Sequence, residues 1–425
     1  YRVVGLDKDE EEGEREVVTF DITDADSVSA AIDLIAEENG RDVAAVVHLV
    51  AFFDFSGGPN RLYEKVNEQG TRNLLKALEQ MRVERFVYAS TMLVHEPTDP
   101  GGRISEDTPF GPRWEYPQSK KAVEDIIRKE ASVPFAILRL AGVYDSESAV
   151  PTLSQQIARI YERSFQSHLY AGPLDAGQSM LHRDDMIEAI RLTIEKRETL
   201  KPDAEILIGE PFALGYDDLQ DRIGRLIHGE EEWATIKVPA PLAKLGAWAQ
   251  DKSEPLVPDA IDQGEKPFIQ PFMIDMADDH YALDVRRAEQ WLGWRPRHRL
   301  EDELTPMIAS LKRDPGAWYE RNKITPPHWL QEAQNAHFAE PESLRQKVEE
   351  RRMDLHRQFR WTHFVNMLLA VWLITQPPMI GITEPLHAWS EVTLGAALLV
   401  TAFLSLSWRL PWARWLSAGI GALVM

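Results

Sequence analysis

Tyr116 and Lys120 stand four residues apart in the run Trp114-Glu115-Tyr116-Pro117-Gln118-Ser119-Lys120. Residues at that spacing share one face of a helix. An ammonium beside a phenol favours the phenolate and draws the tyrosine pKa down toward working pH. Such a pair can move a proton in alcohol/ketone redox chemistry. The spacing alone also occurs on ordinary exposed helices. What gives it weight is Phe86-Val87-Tyr88-Ala89-Ser90-Thr91, an apolar strand ending in two hydroxyls, with Thr91 25 residues before Tyr116. Thr91 could hydrogen-bond the reacting oxygen, and Ser90 is the alternative for that role.

These residues need a scaffold. Short apolar runs at 2–6, 16–20, 43–49, 85–89 and 135–140 alternate with helix-like stretches such as 25–38 and 70–81. Strands alternating with helices predict an α/β fold with a parallel, doubly wound sheet. Asp7 closes the first run, where an acidic side chain would bind the adenosine ribose hydroxyls and disfavour NADP against NAD. The competing reading is a solvated turn at the head of the acidic stretch Asp7 to Glu14. Residues 145 to 310 are more mixed, with strand-like pieces at 205–208 and 235–238, and 284–304 reads as a closing helix and turn.

Taken in order, these segments resemble the extended short-chain dehydrogenase/reductases, the NAD-dependent epimerase/dehydratase family. The resemblance covers residues 1–310. It is carried by the Thr91/Tyr116/Lys120 set, by Asp21-Ile22-Thr23-Asp24 and by Val46-Val47-His48-Leu49-Val50-Ala51. It extends to Asn67-Glu68-Gln69-Gly70-Thr71-Arg72-Asn73-Leu74-Leu75, to His182-Arg183-Asp184-Asp185 and to Leu292-Gly293-Trp294-Arg295-Pro296. The resemblance implies a Rossmann-like sheet, a substrate lobe drawn mainly from 145–310, and NAD as cofactor. Tyr116 would take the proton of a secondary alcohol, Lys120 would lower its pKa and bond the nicotinamide ribose, and Thr91 would orient the substrate oxygen. Asp21 and Ile22 would contact adenine, and Leu49, Val50 and Ala51 would line the cofactor. Asp21 also reads as a helix N-cap for the Asp24 region. A homodimer through helices within 70–81 and 116–131 is a further implication.

The chain starts at Tyr1 inside a strand-like run and stops at Met425 inside an apolar one, so it reads as a fragment. The family's first strand and Gly-rich turn are expected before Tyr1, and weak or absent NAD binding by this polypeptide alone is the corresponding expectation.

Departures from the family narrow the substrate. Met92-Leu93 follows Thr91 where the sugar-nucleotide dehydratases carry Asp-Glu, so elimination of water is disfavoured. Ala141-Gly142 stands where many epimerases place an Asn toward substrate phosphate, and His95-Glu96 replaces a usual Tyr-Gly. A lipophilic secondary alcohol or ketone is the small-molecule substrate these absences favour.

At 425 residues the chain exceeds one ordinary core. A formal net charge of −21 argues against nucleic acid as a partner. Zero cysteines exclude disulfides and thiolate chemistry. The histidines show no metal-ligand spacing; His48 and His182 read as packed, hydrogen-bonded residues.

Residues 311–360 read as a proline-punctuated linker, then a charged amphipathic helix with a capping box at Ser343/Gln346. Residues 361–425 hold apolar runs at 362–374, 392–406 and 412–425, short of or near the length of a bilayer crossing. They predict transmembrane helices. Arg345, Lys347, Arg351, Arg352, Arg357 and Arg360 precede the first run and Arg409 and Arg414 lie in the second loop, which places the catalytic lobe on the cytoplasmic face of a bacterial inner membrane. Trp361, Asn366, Trp372 and Pro377, with Trp415-Leu416 and Gly419, resemble the SPW-repeat membrane modules, with Gln376 where those have Ser. The competing function is a non-catalytic NAD-binding scaffold of a membrane assembly.

Overall fold

The computed structural model describes residues 2–8, 17–55, 58–239, 241, 271–335, 341–380, 384–407 and 411–424. The acidic stretch 9–14 and Arg409 lie outside them. The chain divides into two units: 1–154 with 170–262 and 266–308, and 155–169 with 263–265 and 309–425.

The first unit is built on parallel strands. β1 (Gly5–Asp7) pairs with β2 (Val17–Thr19). β3 (Val46–His48), β4 (Phe86–Thr91) and β5 (Phe135–Leu140) lie side by side, with His48 opposite Tyr88 and Thr91 opposite Leu140. β6 (Gly142–Tyr144) pairs with β7 (Met180–His182), and β8 (Asp203–Ile208) extends the main sheet beyond β5. The order β8-β5-β4-β3, all parallel, is the doubly wound arrangement expected.

Alternation along β4 and β5 sends successive side chains to opposite faces. Val87, Ala136 and Leu138 join Leu181, Ile206 and Leu283 in one core. Phe86, Tyr88 and Ile137 join the other, with residues of α1 (Ala25–Asn39), α2 (Gly70–Ala77) and α3 (Glu115–Glu130). Both faces are covered, which is why these strands read as near-continuous apolar runs.

Helix ends follow local chemistry. Asp24 caps α1 by accepting from the Asp26 amide at 3.0 Å. Asp21 caps only the turn before it, taking the Thr23 amide at 2.9 Å and the Thr23 hydroxyl at 2.8 Å. Gly70 opens α2 where a Cβ would stand 3.0 Å from Ile22 Cγ1, so a side chain would push the helix off Ile22. Ahead of it, Tyr63–Gln69 winds as a π-helix, a form found often at functional sites. His182 caps α4 (Arg183–Glu195), its Nδ1 accepting from the Asp184 amide at 3.2 Å. Asp185 Oδ2 accepts the Arg297 and His298 amides at 3.0 and 2.9 Å, and the Trp294 indole donates to the Asp185 carbonyl. Two motifs more than a hundred residues apart in sequence therefore meet in one anchor.

The second unit is helical, and it departs from expectation. The 311–342 region is no bare linker: Pro315–Arg321 and His328–Asn335 are helices, with Trp318 and Tyr319 buried. Pro315 stands at the helix start, where its missing amide costs nothing, and Asp314 caps by accepting from the Ala317 amide. Ser343 is not a cap, because α5 (Pro341–Ile380) begins two residues earlier. α5 carries the charged stretch and the first apolar run as one helix of 40 residues, through Pro377 and Pro378. α6 (Pro385–Leu404) and α7 (Pro411–Val424) hold the other two runs. Arg414 lies within α7, not in a loop. Among the described residues no helix is long and apolar enough to cross a membrane. The transmembrane expectation is corrected on that point, since prolines and charged residues limit each apolar stretch.

Candidate active site

α3 begins directly after Trp114 and places Tyr116, Lys120 and Glu124 at successive turns of one face. Pro117 falls in the first turn, where it breaks no helical hydrogen bond. The face packs on the end of β4. Lys120 is buried and its Nζ donates to the Ala89 carbonyl at 2.8 Å. It stands 4.9 Å from the Tyr88 ring centre and 5.8 Å from that of Tyr116. Thr91 is buried at the strand end, where its Oγ1 accepts from the Leu93 amide at 3.3 Å. Among the described hydrogen bonds its hydroxyl proton goes to no acceptor.

The charge states differ from the sequence expectation. Burial, with a smaller contribution from Tyr63, pushes the Tyr116 phenol above its ordinary value. The Lys120 ammonium, 5.8 Å from the Tyr116 ring centre and donating to the Ala89 carbonyl, does not offset that burial. Burial draws Lys120 itself down to about 8, partly opposed by Glu124. At neutral pH the site thus holds a protonated phenol and an ammonium.

A clamp absent from the candidate residues holds the neighbouring loop. Asn67 Oδ1 accepts the Phe52 amide at 2.6 Å, and its Nδ2 donates to the Phe52 carbonyl and, at 2.9 Å, to Ser119 Oγ. Ser119 Oγ in turn donates to the Tyr116 carbonyl. One turn earlier in the π-helix, the Tyr63 hydroxyl donates to the Asp54 carbonyl and receives the Asp54 amide. The motif containing Asn67 was visible in sequence, but nothing in its spacing announced that it ties loop 49–55 to α3.

His48 is a satisfied core residue, as expected. Thr71 donates to the Asn67 carbonyl, so His48 Nε2 must donate to Thr71 Oγ1, 3.0 Å away. Burial, then the Lys120 charge, pushes His48 down to about 3. His182, Asp184 and His298 bring ligand-type atoms within 4.8 Å of one another. The two rings are stacked 3.9 Å apart, which sets their in-plane lone pairs side by side, and the evident work of His182 is the α4 cap.

A cavity of about 370 Å³ opens beside Tyr116, lined by Phe53, Val143, Tyr144, Asp145, Ala149, Val150 and Arg183 among others. Phe53 meets the Tyr116 ring edge-on at 4.8 Å, and Phe55 and Trp114 complete an aromatic wall. Arg183, whose side chain is 56% exposed, is paired with Asp145 at 2.5 Å. Met92, at the position next to Thr91, is buried in the apolar core and offers no acid or base.

Of the positions expected to hold a dinucleotide, Asp7, Leu49, Val50 and Ala51 are open to solvent, as holding one requires. Asp7 is exposed at the end of β1, its carboxylate taken only by the Lys8 amide among the described hydrogen bonds. Leu49, 55% exposed after β3, presents an apolar surface that a flat ring would cover, and Val50 and Ala51 are part-exposed beside it. Ile22 is buried against α2, and Asn73 Nδ2 donates to its carbonyl at 3.0 Å, so Ile22 is fixed without presenting its side chain.

Residues 1–209 match the family model of the NAD dependent epimerase/dehydratase family. A human protein, 3 beta-hydroxysteroid dehydrogenase type 7, is 25% identical over 70% of this chain and 82% of its own length. The dTDP-D-glucose 4,6-dehydratase of Bos taurus is 27% identical over 63% of this chain and 66% of its own. Among solved structures, a double mutant of DesIV, a dTDP-glucose 4,6-dehydratase from Streptomyces venezuelae with NAD and DAU bound, matches with a TM-score of 0.55 at 20% identity. That match covers 76% of this chain and 90% of the solved one, and it shows the fold.

Proposed function

We propose that the protein is an NAD-dependent oxidoreductase of the epimerase/dehydratase type that interconverts a lipophilic secondary alcohol and its ketone. The observation that carries the substrate class is the apolar lining of the cavity beside Tyr116, where Phe53 stands edge-on to the phenol with Phe55 and Trp114 packed against Phe53, and where Arg183 among the described lining residues is paired with Asp145. A sugar nucleotide brings a diphosphate, which calls for unspent cationic or amide donors. A flat hydrocarbon skeleton needs apolar and aromatic surface instead.

Bound NAD would supply or accept a hydride at the substrate carbon; Asp7, Leu49, Val50, Ala51 and Lys120 are the residues that would hold it, with Asp21 and Ile22 toward adenine. The chain's own residues handle the proton. Tyr116, kept protonated by burial, gives its phenolic proton to the carbonyl oxygen as that oxygen gains charge. Thr91 donates a second hydrogen bond to the same oxygen and orients it. Lys120 stabilises the phenolate left behind, a role that needs its ammonium. In this charge state the site is set for ketone reduction, and alcohol oxidation needs Tyr116 to lose its proton first.

The test is turnover of ketosteroid-like and other lipophilic ketones against UDP- and dTDP-sugars by the full-length protein. Reduction of the ketones alone supports the reading; turnover confined to sugar nucleotides overturns it. Loss of all turnover with NAD binding kept would favour a non-catalytic scaffold.

The second unit is proposed to lie on the cytoplasmic face of a bacterial inner membrane. Support comes from the exposed Phe359, Trp361, Leu368 and Trp372 of α5 with Trp389 and Phe403 of the next helix, and from the SPW-repeat resemblance. Flotation with anionic liposomes checks it: co-flotation lost on Trp361→Ser with Trp372→Ser is expected, and no co-flotation by the wild type would exclude it. A homodimer through α2 and α3 is a further proposal that light scattering of the full-length protein would decide.

A further inference from the structure

The face of α3 that carries Tyr116 and Lys120 continues one turn on to Glu124, which is fully buried. Its carboxylate is saturated. Oε1 accepts the Ser90 hydroxyl at 2.6 Å and Arg139 Nε at 3.0 Å. Oε2 accepts Arg139 Nη2 at 2.8 Å and Arg128 Nη2 at 2.6 Å. Glu205 joins the same two arginines from β8, and His95 lies 3.2 Å from Arg139 Nη1. His95 Nδ1 faces the Thr108 carbonyl, so that nitrogen carries the proton and Nε2 accepts from Arg139. The cluster sets the Glu124 and Glu205 carboxylates against the Arg128 and Arg139 guanidiniums, and Arg128 also reaches the exposed Asp125 at 2.9 Å.

Its position relative to the site is what matters. Helix α3 grips the end of β4 twice: Lys120 on the Ala89 carbonyl and Glu124 on the Ser90 side chain. The next residue is Thr91. A carboxylate one turn from Lys120 also favours the ammonium that the Tyr116 step requires. The groups facing Lys120 are Glu124 and Tyr116 on its own helix, Tyr88 on β4 and His48 on β3. Of these only Glu124 is a carboxylate.

We infer that Glu124 is a positioning residue for the reaction proposed above: through Ser90 it fixes where Thr91 stands, and through its charge it keeps Lys120 protonated. The guanidiniums of Arg128 and Arg139 hold the Glu124 carboxylate in place by three hydrogen bonds, and the inference rests on the oxidoreductase reading only for its kinetic half.

The experiment separates the two halves. Full-length protein with isotope-labelled lysine side chains is titrated by NMR, the Lys120 signal being the one lost in Lys120→Met. In wild type it should titrate near 8. In Glu124→Gln the midpoint should fall by roughly one to two units. In Ser90→Ala, which cuts the strand link and keeps the carboxylate, the midpoint should hold while kcat falls about tenfold with KM little changed. Removing a buried carboxylate from two arginines is a large insult. If Glu124→Gln does not fold, Glu124→Asp keeps the charge, draws it back by one carbon, and should lower the midpoint by a smaller amount. A Lys120 midpoint unmoved in both Glu124 variants, or a Ser90→Ala enzyme with wild-type kcat, overturns the inference. A wild type that shows the Glu124-dependent midpoint but reduces no ketone upholds the charge link and counts against the oxidoreductase reading instead.

Discussion

Tyr116 shows how far residue types alone can go. Its identity, its spacing from Lys120 and its distance from Thr91 were legible because helix and strand periodicities are short-range facts. Its charge state was not, because that depends on burial by Phe53 and Trp114, which come from other segments. Tyr116→Phe should leave cofactor binding near wild type and cut kcat roughly 100- to 10,000-fold, the range of positioned acid–base catalysis; fluorescence titration and stopped-flow turnover check the two halves. Lys120 sets a pH limb. It loses its proton as pH rises through about 8, so ketone reduction should decline above that value. The same group has a stability signature of definite sign. Its folded pKa lies below the unfolded value of 10.5, so between about 8 and 10.5 the unfolded chain binds more protons and stability rises with pH. Chemical denaturation across that window, wild type against Lys120→Met, should show the slope in wild type only.

At the scale of elements, the parallel strands and α1 were readable from apolar runs alternating with helix-like stretches, and α3 from the Tyr116/Lys120 spacing, although the cap of α1 is Asp24 and not Asp21. The π-helical stretch Tyr63–Gln69 was not, since its winding answers to the tertiary demand that Tyr63 and Asn67 both reach loop 49–55. Asn67→Leu should cost about 1–3 kcal/mol by leaving the Phe52 amide and carbonyl and Ser119 with a lost partner. It should also raise KM more than it lowers kcat, because the loop carries Phe53. Thermal unfolding and steady-state kinetics test this, and an unchanged KM would mean that the loop is held by other contacts. Proline was misread twice. At Pro315 and Pro341 it starts helices instead of interrupting structure, and Trp318 and Tyr319 behind the first are buried core. Trp318→Ala should therefore destabilise the second unit by about 3–5 kcal/mol, the cost of emptying a large core site.

The whole molecule combines a sheet-based unit whose family resemblance was legible in sequence with a helical one whose apolar runs were legible but whose helix extents were not. Hydropathy marks where apolar residues fall; it does not show that α5 carries its charged turns and its apolar turns as a single helix. The folded molecule should also be acid-sensitive through buried imidazoles. His48, at about 3, and His95, at about 4, stay neutral when folded but take protons below 6.5 when unfolded, so stability falls as pH drops from 6.5. His48→Gln, which keeps a donor for Thr71, should flatten that fall in denaturant midpoints measured across the range. The central claim is that Tyr116 delivers the proton in hydride transfer to a lipophilic ketone. The most direct measurement is single-turnover oxidation of NADH by the full-length protein with a ketosteroid, wild type against Tyr116→Phe. Rapid loss of nicotinamide absorbance in wild type, with a variant that binds NADH but barely reacts, is the predicted result; equal rates in the two proteins would contradict the account.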